Sequence, residues 1–323
     1  TLAEIGAYLD EKKKEWAEGA VLPTEDLAWL EGRIARSRAE VARLGAGVAE
    51  PKWKQIVARV KKDTYEPWYA TQSLVSTWIG DTRLVRWEPL IRIEQIKQME
   101  AKLQAGDILL ERRNWFLSNA FLPGFWPHSA LYVGRVEELE KLGLVKKVNG
   151  KWVGEGEMGK HLAEYLKKAA DGEEHTVIEA ISDGVVFNSL TESMHADYVA
   201  VLRPRVSEGQ RAKAIAEAFG HVGKPYDFEF DFATADKLVC SEVVYRAYYG
   251  MIHLDEPWMQ RIAGRWTLPP LEIARKFREE RGKEGRELDF VMFLDGDVGR
   301  HEAKLAGEEV FCGTIERAKG FNE

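Results

Sequence analysis

Apolar residues recur along this chain at two different periods, and the change falls near residue 104. Before it the spacing is helical. In "TEDLAWLEGRIARSRAEVARL", Leu27, Leu30, Ile34, Val41 and Leu44 roughly follow one helix face, and Thr24 is placed to cap the start. "PKWKQIVARVKKDTYEPWYATQSLVSTWIG" predicts a second long helix, broken before Pro67, and "EPLIRIEQIKQMEAKL" predicts a third. Trp16, Trp29, Trp53, Trp68, Trp78 and Trp87 all fall in this stretch, and large rings at helical spacing are the material of helix–helix packing. Residues 1–103 are therefore expected to form an all-helical N-terminal region.

From "AGDILLERR" onward strands dominate. Gly106-Asp107 punctuates, and Ile108 to Leu110 read as a short buried strand. Further strands are predicted at His128–Val136, 175–181, 184–190, 197–204 and 288–296. "LVKKVNGKWVGE" predicts a hairpin, because Asn149-Gly150 supplies both positive-φ residues of a type I′ turn. With the helix "GKHLAEYLKKAADG" it forms an insertion, about 137–174, between two core strands. "SEGQRAKAIAEAFGHVG" predicts an amphipathic helix capped by Ser207. The class expected from this order is α+β, with residues 104–323 as one domain.

Composition narrows the partners. The 323 residues are 45% apolar and 31% charged, the make-up of an ordinary globular chain, and a net charge of −7 provides no broad basic field for nucleic acid. No stretch approaches the roughly 18 consecutive apolar residues of a membrane span, and no segment of the printed chain reads as a signal peptide. The bacterial cell envelope and the cytoplasm are both open as compartments. Two cysteines, Cys240 and Cys312, exclude a disulfide framework and a cysteine-based zinc site. The histidines are scattered with no ligand-like pair, so neither a metal nor a cofactor is expected.

Three residues could carry chemistry. In "DFATADKLVCSEVVYRAYYGM", Cys240 shares a helical face with Val243, Val244, Ala247 and Tyr248, while Glu242 and Arg246 form an i,i+4 pair on the other face. Asp236 is placed to cap this helix, which puts Cys240 in its first turn, where the amide dipoles favour a thiolate. A lone buried cysteine is more often inert packing. His128 opens the apolar strand "HSALYVG" beside an aromatic loop, "FLPGFWP", from which a side chain can reach a cleft; a satisfied core histidine fits the same place. Glu179 stands in the middle of "TVIEAI", where a carboxylate is costly without a partner, whether that partner is an imidazole or a structural Arg or Lys. Together the three supply the parts of a thiol hydrolase: nucleophile, base and the acid that orients the base. The backbone N–H of Cys240 could then donate to the oxyanion.

"QAGDILLERRNWFLSNAFLPGFWPHSALYVG", "HTVIEAISDGVVFNSL" and "GKPYDFEFDFATADKLVCSEVVYRAY" resemble, in that order, the permuted papain-like hydrolases of the YiiX/YebB group within the NlpC-type superfamily. The resemblance covers roughly residues 104–250. It implies a small antiparallel sheet packed on the cysteine helix, with Cys240 as nucleophile, His128 as base and Glu179 as its orienter. It also implies acyl transfer at an amide or ester. The expected reaction is amide cleavage in a peptide or peptidoglycan fragment, with an acyl-lipid substrate for an acyltransferase or esterase, and a non-catalytic binding module, as the alternatives. In that layout Tyr226 falls just before the cysteine helix, as a candidate for substrate binding or oxyanion assistance. Trp126, Ser118 and Asn119 are candidates for the apolar wall and polar contacts of a cleft; a core tyrosine and core packing of the aromatic loop are the plainer readings.

Overall fold

Strands that are apolar on both faces need cover on both sides, and that requirement organises this chain. The computed structural model describes residues 87–114, 124–227, 237–262 and 265–317. The helices expected before residue 87, their cap Thr24 and the earlier tryptophans lie outside the described residues.

Helix α1 (Ile93–Glu100) leads into β1 (Ile108–Arg112) and β2 (His128–Tyr132). The expected insertion follows as α2 (Val136–Lys141), the hairpin β3 (Val145–Val148) and β4 (Lys151–Gly154), and α3 (Gly156–Tyr165). Then come β5 (His175–Ile181), β6 (Gly184–Ser189), the short α4 (Leu190–Met194), β7 (Tyr198–Pro204), α5 (Glu208–Phe219) and α6 (Cys240–Ala247). A small hairpin, β8 (Gln260–Ile262) and β9 (Arg265–Thr267), precedes α7 (Pro270–Glu280), β10 (Leu288–Asp297), β11 (Glu302–Ala306) and α8 (Glu308–Gly313). Local chemistry explains several boundaries. Asn149 and Gly150 take φ of 51° and 77°, as the type I′ turn requires. Ser207 and Gln210 close a capping box on α5. At Gly106, φ is +99° and a Cβ would meet the Tyr248 hydroxyl and the Arg211 side chain at 2.8 Å, so only glycine fits the turn into β1.

The main sheet runs β11-β10-β7-β1-β2-β5-β6, and every neighbouring pair is antiparallel. Among the described residues it has seven strands. β10 and β11 come from the C-terminal segment: β10 pairs with β7 in a register broken once by a bulge between Phe290 and Met292, and β11 extends the edge. One face of the sheet (Ile108, Leu110, Leu131, Ile178, Ala200) packs with Ile215 and Phe219 of α5 and Val243 and Val244 of α6. The other face (Leu109, Ala130, Tyr132, Val177, Val199) packs with Ile96 and Met99 of α1 and Leu190 and Met194 of α4. Leu90, Ile91 and Leu103 belong to this second layer.

A single buried carboxylate ties this layer to the sheet. Asp197 accepts from the Trp87 indole at 2.7 Å, from the Leu90 amide at 3.1 Å and from the Asn114 amide at 2.6 Å. Replacing it leaves buried amides without an acceptor, which costs far more than an average hydrogen bond. Asp197→Ala is expected to lower stability by about 2–4 kcal/mol and Asp197→Asn by less, read as the urea midpoint; an unchanged midpoint in Asp197→Ala would contradict this.

Candidate active site

Helix α6 begins at Cys240. Its N-cap is Val239, which offers no side-chain cap, and Asp236, expected to cap it, lies outside the described residues. Val243, Val244, Ala247 and Tyr248 turn into the core as their spacing predicts. The expected Glu242–Arg246 pair forms, with the Arg246 guanidinium donating to Glu242 Oε1 through Nε at 2.7 Å and approaching it through Nη2 at 2.6 Å. Its placement differs from the expectation of an outer face, because Glu242 is fully buried. The backbone ending at Asp227 runs beside this end of the helix, where Tyr226 bridges to Leu238. Burial pushes the Glu242 carboxyl up to about 7, although Arg246 opposes the rise.

His128 is the first residue of β2, and its Nε2 lies 2.7 Å from Glu179 Oε2. Glu179, in the middle of β5, is 2% exposed. Its other oxygen, Oε1, accepts from Ser193 Oγ at 2.5 Å and from Asn188 Nδ2 at 3.0 Å. With Nε2 held by Glu179, Nδ1 is the nitrogen left for the Cys240 thiol, with which His128 also makes a side-chain hydrogen bond. The backbone amides of Ser129 and Ser241 are near enough to favour charge on the same sulfur, and the Pro127 carbonyl lies 4.0 Å from it.

The charges follow from this geometry. Burial alone would raise the Cys240 thiol; the His128 charge, the His128 hydrogen bond and the backbone amides of Ser129 and Ser241 overcome it and hold the thiol below its ordinary value. Burial alone would lower His128; the adjacent Cys240, the Glu179 hydrogen bond and the charge of Glu111 hold it well above the usual imidazole range. Glu179 resists burial through His128, Ser193 and Arg113, and its carboxyl falls to about 2. The three groups thus favour a thiolate, an imidazolium and a carboxylate.

Tyr226, half-buried, stands close enough for the Cys240 charge to act on it. Burial and the charges of Cys240 and Asp227 raise its hydroxyl well above the ordinary range, so it remains a donor. Trp126 is placed elsewhere than in a cleft wall. It is 0% exposed, its indole N–H donates to Thr314 Oγ1 at 2.9 Å, and its ring packs against Phe125, Phe293 and Phe311. The cover comes from α8 and the turn after it, more than 180 residues away in sequence, which no local pattern could supply. Ser118 and Asn119 lie outside the described residues. Asn188, Ser193, Glu111 and Arg113 join the site without having been singled out from the sequence. The one available signal was Glu111-Arg112, charged residues continuing the apolar strand Ile108–Leu110.

A cysteine heading a helix that packs on an antiparallel sheet, with the histidine and acid strands earlier in the chain, is the layout of a permuted papain-like cysteine hydrolase. Residues 102–266 match the sequence model of the family described as permuted papain-like amidase enzyme, YaeF/YiiX, C92 family; this is just over half of the chain, and the chain belongs to that family. Among solved structures the chain matches that of the metalloprotein yiiX from Escherichia coli O157:H7, at 19% identity and a TM-score of 0.32, over 64% of this chain and 97% of that one. No curated protein matches. Among the described residues, no group of three or more His, Cys, Asp or Glu side chains is arranged to hold a metal ion.

Two outcomes test the electrostatics. Burial raises the Cys312 thiol, and Arg281 offsets only part of the rise. Iodoacetamide at pH 6 should therefore modify Cys240 at least about tenfold faster than Cys312, by mass spectrometry of the digested protein; equal rates would contradict the ion pair. Glu179, depressed from 4.5 to about 2, contributes stability that is fully present above 4.5 and is lost as pH falls towards 2. The stability gap between the wild type and Glu179→Gln should narrow over that window in urea titrations.

Proposed function

We propose that this amidase-family chain cleaves an amide bond of a peptide or peptidoglycan fragment, with Cys240 as nucleophile, His128 as general base and acid, and Glu179 as the residue that orients His128. The observation that carries the reading is the His128–Glu179 contact of 2.7 Å, on the imidazole nitrogen opposite the one left for the thiol.

His128 Nδ1 takes the thiol proton, and the thiolate attacks the amide carbonyl. The oxyanion has two donors within the site. One is the backbone N–H of Cys240, which as the first residue of α6 has no partner within the helix; the other is the Tyr226 hydroxyl. The intermediate collapses as His128 returns its proton to the departing amine, leaving a thioester on Cys240. A water molecule, deprotonated by the same nitrogen, then releases the acid and restores the thiol. Glu179 stays ionised throughout, stabilising the imidazolium and holding the ring.

The purified chain is to be offered peptidoglycan-derived peptides and, separately, phospholipid vesicles. Cys240→Ala and His128→Ala are expected to lose at least about 10³ of the peptide turnover with an unchanged circular dichroism spectrum, and Glu179→Gln about 10²–10⁴. Peptide turnover retained by Cys240→Ala would refute the reading. An acyl adduct on Cys240 from phospholipid, seen by intact mass without peptide cleavage, would replace it with lipid acyl transfer. Saturable binding with no turnover by the wild type would replace it with a binding module.

A further inference from the structure

A second carboxylate lies beside the imidazole. Glu111 pairs directly across from His128 in the β1–β2 ladder, so the two side chains rise from the same face of the sheet, and Glu111 is buried. Two buried acids crowding one base repel each other, and each opposes the ionisation of the other. The charge that balances them stands directly after β1. Arg113 Nε donates to Glu111 Oε2 at 3.3 Å, and Arg113 Nη2 donates to the backbone carbonyls of Glu192 and Ser193 at 3.0 Å each. Ser193 is the residue whose hydroxyl holds Glu179. One guanidinium therefore balances the second acid and fixes the helix that seats the first.

We propose that Arg113 is a positioning residue of this site: it offsets the charge of Glu111 and anchors α4, so that Glu179 stays the acid that orients His128. The proposal rests on the reading of Cys240, His128 and Glu179 given above. The rigid fork of an arginine suits it, since a lysine could supply the charge but not the same set of directed contacts.

The sign of the effect follows from the groups around His128. Glu111 faces it from β1, with Arg113 just after that strand held on Glu111; Glu179 faces it from β5 and Cys240 from α6, with Tyr226 and Asp227 beyond the sulfur. Burial already raises the Glu111 carboxyl and Arg113 opposes the rise; without Arg113, Glu111 in its ionised form disfavours a thiolate, so the acid limb of Cys240 reactivity moves to higher pH. Without Glu111, the remaining guanidinium favours the thiolate, and the limb moves to lower pH. With both removed, the limb returns towards its original position. A purely structural role would reduce activity without this reciprocity.

The measurement is the rate of Cys240 alkylation by iodoacetamide against pH, which needs no substrate, followed by intact mass. Arg113→Met should shift the acid limb up by roughly one pH unit and Glu111→Gln should shift it down, while the double variant should lie near the wild type. Arg113→Lys should leave the limb in place yet lower kcat for amide cleavage, because the charge stays and the anchor to α4 goes. An acid limb in Arg113→Met identical to that of the wild type, or a double variant that stays where Arg113→Met put it, would overturn the proposal. Should Arg113→Met not fold, Glu111→Gln decides alone, and an unmoved limb overturns it. A wild type whose Cys240 shows no low-pH limb at all would instead sink the reading of the three residues, so the two failures are distinguishable.

Discussion

The burial of the Glu179 carboxylate is the constraint on which the rest of the site depends. At the centre of an apolar strand, an ionised acid is tolerated only if both oxygens are satisfied. Its partners come from three elements: His128 from β2, Asn188 from β6 and Ser193 from α4. The strand order β2-β5-β6 makes this set available, since it flanks β5 on both sides. Asn188 pairs with Val177, which alternation places on the same face as Glu179, and the chain then folds directly into α4 to bring Ser193 over it. The sheet topology and the state of one carboxylate are in this sense a single problem with a single solution.

That solution also fixes the imidazole. A carboxylate can only accept, so His128 must carry its proton on Nε2 when neutral, which leaves the lone pair on Nδ1 facing the thiol. An amide in place of Glu179 could present either its oxygen or its N–H, and it would not stabilise the imidazolium by charge. Ser193 and Asn188 both act on Oε1 and leave Oε2 to the histidine. The division of labour between the two oxygens keeps the ring oriented before any substrate arrives.

Much of this was legible in the sequence, for a physical reason. Polar residues in apolar strands are visible exceptions, and His128, Glu179 and Cys240 were each singled out on that ground or by a helix-start position. The strands themselves fall close to where the period-2 pattern predicts them, and 175–181 coincides with β5. Other features depend on what packs against them from far away. Trp126 is a candidate cleft aromatic beside the plainer core reading until Thr314 and Phe311 cover it, Glu242 pairs with Arg246 as expected yet is fully buried, and the strand expected at 288–296 takes its place in the sheet only by pairing with β7. Ser193 and Arg113 are ordinary residues locally, and only the register of β1 against β2 and the fold of α4 give them neighbours worth noticing.

The position of His128 at the very start of its strand has a geometric reason. His128 and Glu179 belong to the face of the sheet that packs against α1 and α4, whereas α6 packs on the opposite face. A cysteine on α6 could not reach a histidine in the middle of β2, because the sheet itself would stand between them. The two can meet only where the sheet ends. There the starts of β2 and of α6 come together, and the backbone amides of their second residues, Ser129 and Ser241, both favour charge on the sulfur. Strand start and uncapped helix start thus supply the same thing, main-chain donors without a partner within their own element, at the one place where the imidazole can also arrive.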